Sequence, residues 1–155
     1  MNADEESAKA ILSDLLYITL ATAGSDGLPW NTPVFAAFDE AYHFFWVSAS
    51  EVRHSQNISA THRVAIVVYD STAPAGEGKG VYIEATADEV SDEQEIIHAL
   101  HALERRGWKK PLKEVMGASI HRVYQAVPEQ IWISTVGSLN GQRFDTRVTV
   151  DLLRK

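Results

Sequence analysis

Short β-favouring segments, each ended by a turn signal, constrain the fold of this chain more than any other feature. The clearest are residues 44–47 and 64–69, where aromatic and β-branched side chains cluster. Residues 24–27 and 39–40 are tight-turn sequences between neighbouring segments, which favours antiparallel pairing of consecutive strands. The pattern predicts a mainly β protein, an antiparallel β-barrel with flanking helices, rather than alternating βαβ units.

Six or seven strands are expected, and two prolines restrict one of them. The predicted strands are residues 16–22, 29–38, 42–47, 64–69, 81–90, 120–127 and 130–136, with a further candidate at 147–152. Pro29 and Pro33 have no backbone N–H group, so each removes one hydrogen-bond donor from the second strand. That strand should therefore lie at a sheet edge or be irregular. Pro128 and Glu129 are expected to separate the strands on either side of them.

Helices are expected at three places. Residues 2–15 have apolar side chains at helical spacing, and Asn2 with Glu5 matches a capping box. A second helix should begin at Ser91, with Gln94 at the same capping spacing, and end at Gly107. A shorter helix is expected over residues 50–60.

Composition narrows the class of protein. With 155 residues, 45% of them hydrophobic, the chain is expected to be one domain over residues 1–155. It has no cysteine, which excludes disulfides, thiolate nucleophiles and iron–sulfur ligation. The net charge of −7 argues against binding to nucleic acid. An acidic N-terminus and the lack of a ~20-residue apolar run predict a cytoplasmic protein without a signal peptide or membrane span.

Hydrogen-bond donors concentrate directly behind the strand that ends at Val47. They are the side chains of Ser48, Ser50, Arg53, His54 and Ser55. Hydroxyl and guanidinium donors, together with N–H groups of the following helical turn, could bind an anion such as phosphate. The alternative is a solvated turn between two core strands. An anionic ligand of this acidic chain would need such a local cluster of donors.

Trp30 stands between prolines on the broken second strand. Backbone groups there would be free to bond a flat heteroaromatic ligand, and the alternative is a hydrophobic side chain at the mouth of the barrel. Residues 76–80 resemble a phosphate loop but lead into a strand, so a mobile turn is favoured. No Gly-x-Ser-x-Gly nucleophile elbow is present.

A metal site is a weaker alternative. Glu95, His98 and His101 share a helix face at three-residue spacings, and His121 could supply a further nitrogen. A carboxylate-bridged site would need a second such motif on another helix, which the sequence lacks. A solvated helix face without metal is therefore the favoured interpretation.

In their order and spacing these pieces resemble the FMN-binding split-barrel family that includes pyridoxamine 5′-phosphate oxidase. The resemblance covers about residues 12–132. It rests on Leu20-Ala21-Thr22 before Gly27-Leu28-Pro29, Asn31-Thr32-Pro33-Val34, Trp46-Val47-Ser48 before Arg53-His54-Ser55-Gln56-Asn57-Ile58 and Val64-Ala65-Ile66, and Gly80-Val81-Tyr82-Ile83-Glu84-Ala85-Thr86-Ala87.

The resemblance implies a homodimer with FMN between the subunits. By analogy the FMN phosphate would be held by Ser48, Ser50, Arg53, His54 and Ser55. The ring and ribityl chain would be lined by Trp30, Asn31, Thr32 and Val47. Trp132 or Glu84 would approach from the partner subunit.

Two departures from the family pattern affect what can be expected. His54 stands where a phosphate-binding lysine is frequent, and Gln56 where a second basic residue is common, so Arg53 is the main fixed cation. Because His54 contributes fully only when protonated, FMN affinity is expected to depend on pH. Arg143 and Arg147 do not reproduce the family's C-terminal substrate motif, so the vitamin B6 reaction is not predicted.

The function predicted from the sequence is therefore a cytoplasmic, homodimeric flavoprotein. It would bind FMN non-covalently and oxidise or reduce a small organic molecule at the flavin N5. A non-catalytic protein that binds or senses flavin or haem, and a reductase using the deazaflavin F420, remain open alternatives. No catalytic acid or base is indicated.

Overall fold

The computed structural model describes residues 2–153, and eight strands of that range form one antiparallel sheet. The strands are β1 Tyr17–Ala23, β2 Pro29–Phe35, β3 Ala37–Phe38, β4 Phe44–Ala49, β5 Arg63–Tyr69, β6 Gly80–Glu89, β7 His121–Leu139 and β8 Gln142–Thr149. Their order is β2-β1-β5-β6-β7-β4-β3, with β8 paired to β7. Every pairing is antiparallel, which confirms the predicted mainly β architecture.

Three α-helices flank the sheet: α1 Ala3–Asp14, α2 Arg53–Thr61 and α3 Glu93–Arg105, and Leu112–Glu114 form a single 3₁₀ turn. The Asn2–Glu5 capping box is present as predicted. The prediction for α3 was wrong by one residue. Asp92, not Ser91, is its N-cap, because the Asp92 carboxylate accepts the Glu95 N–H at 3.0 Å.

Two hydrophobic clusters lie on opposite sides of β4. Phe44 and Trp46 face the barrel interior, whereas Phe45 packs with Val123 against α3. Because side chains alternate along a strand, a strand covered on both faces reads as a continuous apolar run. This explains the uninterrupted sequence at residues 44–47.

β7 is one 19-residue strand, so the predicted break at Pro128 and Glu129 was wrong. Pro128 pairs with Ala85, where the register of β6 against β7 shifts between Glu84 and Ala85. Glu129 is therefore the extra residue of a bulge in β7. Because a bulge disrupts the hydrogen-bond ladder locally, the neighbouring Pro128, which has no N–H to donate, is accommodated. The first part of β7 pairs with β4 and its last part with β8, so this strand joins both halves of the sheet.

The last strand begins five residues before the position predicted from the sequence. β8 starts at Gln142 because Asn140 and Gly141, both with positive φ (51° and 76°), form a two-residue hairpin turn. Within residues 2–153 no helix is both long and apolar enough to cross a membrane.

Candidate functional site

Helix α2 carries most of the residues that the sequence indicated for ligand binding. It packs against β1, β2 and β6. Ile58 is buried in the barrel core, and the Asn57 Nδ2 donates to Thr22 Oγ1 on β1 at 3.0 Å. These two contacts fix the orientation of the helix, and therefore the directions of the side chains in its first turn.

The first residue of α2 stacks on the ring of Trp30. The Arg53 Cζ lies 4.6 Å from the Trp30 ring centroid, a cation–π geometry. Trp30 is 40% exposed and Arg53 is exposed, and within residues 2–153 Arg53 makes no ion pair. The structure thus joins a fixed cation and an accessible aromatic face that lie 23 positions apart in the chain. The guanidinium N–H groups stay available to an anion.

The second residue of α2 faces the interior. The His54 Nε2 lies 2.8 Å from the Ser48 Oγ at the end of β4, and both residues are buried. Burial lowers the pKa of His54 below its ordinary value of 6.5, because desolvation disfavours the imidazolium. His54 therefore supplies a neutral, oriented imidazole near neutral pH, and Arg53 supplies the fixed positive charge.

The N-terminus of α2 has no side-chain cap. Its N-cap is Val52, which makes no side-chain hydrogen bond to the helix. The first N–H groups of an α-helix have no acceptor within the helix, and the helix dipole favours an anion near them. Arg53 and the buried His54–Ser48 pair adjoin this terminus.

Strand β2 continues the site from Trp30. Within the described chain β2 pairs only with β1, which confirms the predicted edge position of the strand. Asn31 is exposed opposite Ala21, and Thr32 is half-buried opposite Leu20. Asn31 and Thr32 therefore point to opposite faces of an open edge.

Four of the residues suggested for the cofactor lie away from the Arg53–Trp30 pair. Val47 packs in the cluster under α3, and Ser50 donates to the Glu51 carboxylate at 3.3 Å. Ser55 is buried on another flank of α2. Trp132 lies on the outer face of the sheet in register with Tyr82, three strand spacings or about 14 Å from β1.

A cavity of about 1080 Å³ near the other end of β5 was missed by the sequence reasoning. It is lined by residues that include Tyr69, Lys79, Tyr82 and Arg147, and the Arg147 Cζ lies 3.6 Å from the Tyr82 ring centroid. The contact between Arg147 and Tyr82 depends on the register of the β7–β8 hairpin. The Asn140-Gly141 dipeptide is the signal that could have set that register.

The histidines of α3 do not gather at a metal site. The His98 Nε2 lies 3.2 Å from the Asp39 carboxylate, which His43 approaches at 3.3 Å, whereas Glu95 and His101 are exposed. In the described range no three histidine or carboxylate side chains are placed to hold a metal ion.

Comparisons with known proteins place the chain among split-barrel proteins. The sequence model of the family described as pyridoxamine 5′-phosphate oxidase matches residues 4–134. No functionally curated protein matches the sequence.

Solved structures with the same fold differ widely in sequence. The haem storage protein HutZ of Vibrio cholerae is 17% identical, with a TM-score of 0.70 over 82% of this chain and 92% of that one. A FAD-binding protein of Mesorhizobium loti is 20% identical, with a TM-score of 0.62 over 86% and 94%. A haem-binding protein of Mycobacterium smegmatis is 18% identical, with a TM-score of 0.67, and this chain spans only 58% of its length. At these identities the likeness shows the fold.

Proposed function

The chain belongs to the pyridoxamine 5′-phosphate oxidase family, and from this premise we propose that it is an FMN-dependent oxidoreductase acting on a small organic molecule. The observation that carries the proposal is the pairing of Arg53 with Trp30 beside the uncapped N-terminus of α2. A fixed cation, an exposed aromatic face and free helical N–H groups are the features that a phosphate-bearing aromatic cofactor would use.

The phosphate end of FMN fits the first turn of α2. A phosphate monoester carries a charge of about −1.5 to −2 at pH 7 and offers three strong acceptor oxygens. Arg53 could donate two parallel hydrogen bonds to it, and the His54 imidazole with the Ser48 hydroxyl lies beside the same turn. Because Arg53 is the permanent cation at this turn among the described residues, the helical N–H groups would carry a large share of the binding.

The ring end of a flavin fits the edge formed by β2. Trp30 offers an aromatic face, and the Asn31 amide and the outward backbone groups of an unpaired edge offer donors and acceptors. A bound flavin would supply electron and hydride transfer at N5, and the protein would bind the ring and set its orientation.

We further propose that two copies of the chain enclose each cofactor. Trp132 and Tyr82 lie on the outer face of the sheet, whereas Trp30 shares the opposite face of its strand with Thr22. Within one chain Trp132 and Trp30 therefore cannot contact the same ring. The outer face of a second subunit could bring Trp132 to the flavin, as the family resemblance implies.

Haem is the second candidate, favoured by the haem proteins that share this fold. Axial ligation would require a free imidazole nitrogen at the site. The His54 imidazole is buried with its Nε2 2.8 Å from the Ser48 Oγ, whereas the exposed Arg53–Trp30 pair suits a phosphate-bearing aromatic ligand, so the described residues favour flavin over haem. F420 shares the ring system and a phosphate with FMN and is the third ligand to test.

The test begins with the visible spectrum of the purified protein and with FMN titration of the flavin-free form. Arg53→Ala should weaken FMN binding by about 1.5–3 kcal/mol, or about 10- to 150-fold, because it removes a charged hydrogen-bond donor. Arg143→Ala is the matched control, since Arg143 is exposed on β8.

Four outcomes separate the alternatives. Equal affinity in both arginine variants would remove Arg53 from the site, and a protein that acquires no flavin spectrum would overturn the proposal. Competition by F420 or haem identifies a different ligand. Bleaching of bound FMN by reduced nicotinamide cofactors in the absence of oxygen distinguishes an enzyme from a binding protein.

A further inference from the structure

Strand β8 has one unpaired edge. It pairs with β7 and, within residues 2–153, with no other strand. In a hairpin with a two-residue turn, the residues next to the turn exchange both backbone hydrogen bonds, and here these are Leu139 and Gln142. The even-numbered residues of β8 therefore bond to β7. The Val150 N–H, which donates to the Ile131 carbonyl at 3.0 Å, continues the same alternation.

The odd-numbered residues of β8 direct their backbone N–H and C=O groups to the open edge. They are Arg143, Asp145, Arg147 and Thr149, and all of them are exposed. A row of unpaired backbone groups is a template for pairing with another strand. Charged side chains protect an edge when they repel a second strand, whereas positive and negative charges alternate along this one.

The side chains along this edge are complementary to themselves. If two copies of β8 run antiparallel with Thr146 opposite Thr146, Asp145 of each copy lies opposite Arg147 of the other. On the opposite face Phe144 lies opposite Val148. Opposite-charge, aromatic–β-branched and Thr–Thr pairs are cross-strand pairs that stabilise a sheet. Neither Asp145 nor Arg147 forms an ion pair within the described residues, so both charges are available to a second copy.

Hydrogen bonding and charge leave few other registers for this pairing. Opposite residues of an antiparallel pair both face the partner strand or both face away from it, so odd-numbered residues lie opposite odd-numbered ones. Centring the pairing on Asp145 or on Arg147 places like charges directly opposite each other. Centring it on Phe144 brings Arg143 opposite Asp145, but only residues 142–146 of each strand then overlap. The register centred on Thr146 overlaps residues 143–149.

We propose that β8 binds β8 of a second copy of this chain, in the antiparallel register centred on Thr146. The contact is isologous, since each charge pair and each apolar pair occurs twice about the two-fold axis. The backbone groups of the open edge are then satisfied, and the two sheets become one. This pairing uses the edge of the sheet and not its outer face. It is therefore a second interface, separate from the one proposed for the flavin, and it requires no flavin.

Cross-linking through an introduced cysteine tests the register. The chain has no cysteine of its own, so one introduced thiol reports on one contact. In the proposed pairing the two Thr146 Cα atoms lie about 4.5 Å apart, a separation that a disulfide can span. Thr146→Cys of the flavin-free full chain should therefore form a disulfide-linked dimer under mild oxidation.

Thr135→Cys is the matched control for random collision. Thr135 is exposed on β7 directly opposite Thr146, and its two copies would be three strand spacings, or about 14 Å, apart. It should not cross-link. Failure of Thr146→Cys to cross-link, or equal cross-linking of the two variants, would overturn the proposal. Faster cross-linking of Phe144→Cys than of Thr146→Cys would overturn the register. FMN binding is measured separately by titration, so neither result depends on it.

Charge reversal tests the contact between the side chains. On the Thr146→Cys background, Asp145→Lys or Arg147→Glu places like charges opposite each other twice and should slow cross-linking about tenfold. Glu40→Lys, an equal charge change at an exposed turn residue, should leave the rate unchanged. When the Asp145 and Arg147 variants are mixed, each supplies the charge that the other has reversed. Dimers of one variant with the other should then form at the rate of Thr146→Cys alone, and a rate as slow as that of the separate variants would contradict the charge pairing.

Discussion

His54 shows how the burial of one side chain sets the pH response of a site. Its imidazole is held against the Ser48 hydroxyl, and burial lowers its pKa below 6.5. Free protein therefore has a neutral His54 at pH 7. A bound phosphate would favour the imidazolium and so raise that pKa.

FMN affinity is consequently expected to gain a contribution from His54 as the pH falls through the pKa of His54 in the complex, and this gain is complete below the lower pKa of His54 in the free protein. FMN titrations from pH 8 to pH 5 measure it. The phosphate itself takes up a proton near pH 6, so the comparison is with His54→Gln, which keeps that titration but lacks the imidazole. Parallel pH profiles for the two proteins would refute a phosphate role for His54.

The same burial predicts the pH dependence of stability in the absence of ligand. The pKa of His54 is lower in the folded than in the unfolded state, so the unfolded chain takes up the proton first on acidification. The contribution of the buried, neutral His54 to the free energy of unfolding is complete above about pH 6.5. It is lost as the pH falls through the folded-state pKa of His54. Urea unfolding at pH 8, 6 and 5 should show a smaller decline for His54→Gln than for the natural chain. A steeper decline in the variant would be the contrary result.

The donors after β4 were found from the sequence, but their directions were not. Ser50 to Ser55 was interpreted as one cluster, whereas α2 begins at Arg53 and separates Arg53 from Ser55 by about 200°. The start of the helix decides this separation, and Val52 is a weak N-cap that gives no local signal. Residue types thus predicted the chemistry of the segment, while the helix start turned Arg53 toward Trp30 and Ser55 into the interior.

The C-terminus of α1 depends on a residue from a distant helix. Its last turn contains no basic residue, and Arg106, just after α3, donates to the Leu12 carbonyl at 3.3 Å and to the Leu15 carbonyl. Carbonyls of a last turn lack partners within their own helix, so a half-buried guanidinium stabilises them.

Arg106→Ala should therefore lower the free energy of unfolding by about 1–3 kcal/mol, the scale of hydrogen bonds to a charged group. Arg105→Ala is a close control: the side chain is exposed one position earlier and should change stability by less than about 0.5 kcal/mol. Urea denaturation of both variants measures the difference, and similar losses in both would show that the contacts with α1 contribute little.

The turn between β7 and β8 offers a test of backbone strain without packing changes. Gly141 has φ +76° and open space where a Cβ would lie. Gly141→Ala should cost about 1–2 kcal/mol, because an L-residue is strained in the left-handed region. Gly78→Ala, at a position with negative φ and only an ordinary contact at 3.9 Å, should be nearly neutral. Equal unfolding midpoints would mean that the hairpin turn unfolds independently of the barrel.

The presence of each helix and strand was easier to predict from the sequence than the register in which the strands pair. Periodicity and turn residues located all three helices and most strands, and Pro29 and Pro33 correctly marked an edge. Pro128 was misread as a break because β7 continues through a bulge at Glu129, which shows only in the pairing with Glu84 and Ala85 of β6. A proline that interrupts a strand and one that sits at a bulge look alike until the partner strand is known.

At the scale of the whole molecule, the distribution of aromatic residues argues for assembly. The Trp30–Arg53 pair and Trp132 lie on opposite faces of the sheet, several strands apart. If one flavin uses both tryptophans, they must come from different copies of the chain. In a two-fold dimer each cofactor site would then combine Arg53 of one copy with Trp132 of the other.

This arrangement can be tested by complementation between two defective chains. Arg53→Ala and Trp132→Ala should each weaken FMN binding at every site of their own homodimers. In an equal mixture that has exchanged subunits, each heterodimer should contain one intact site and one doubly defective site, so about a quarter of all sites should recover full affinity. FMN titration of the mixture, with each variant alone as control, measures that fraction. Because a site built within one chain would be defective in every subunit, absence of recovery after proven subunit exchange would place both residues on the same copy or remove one of them from the site.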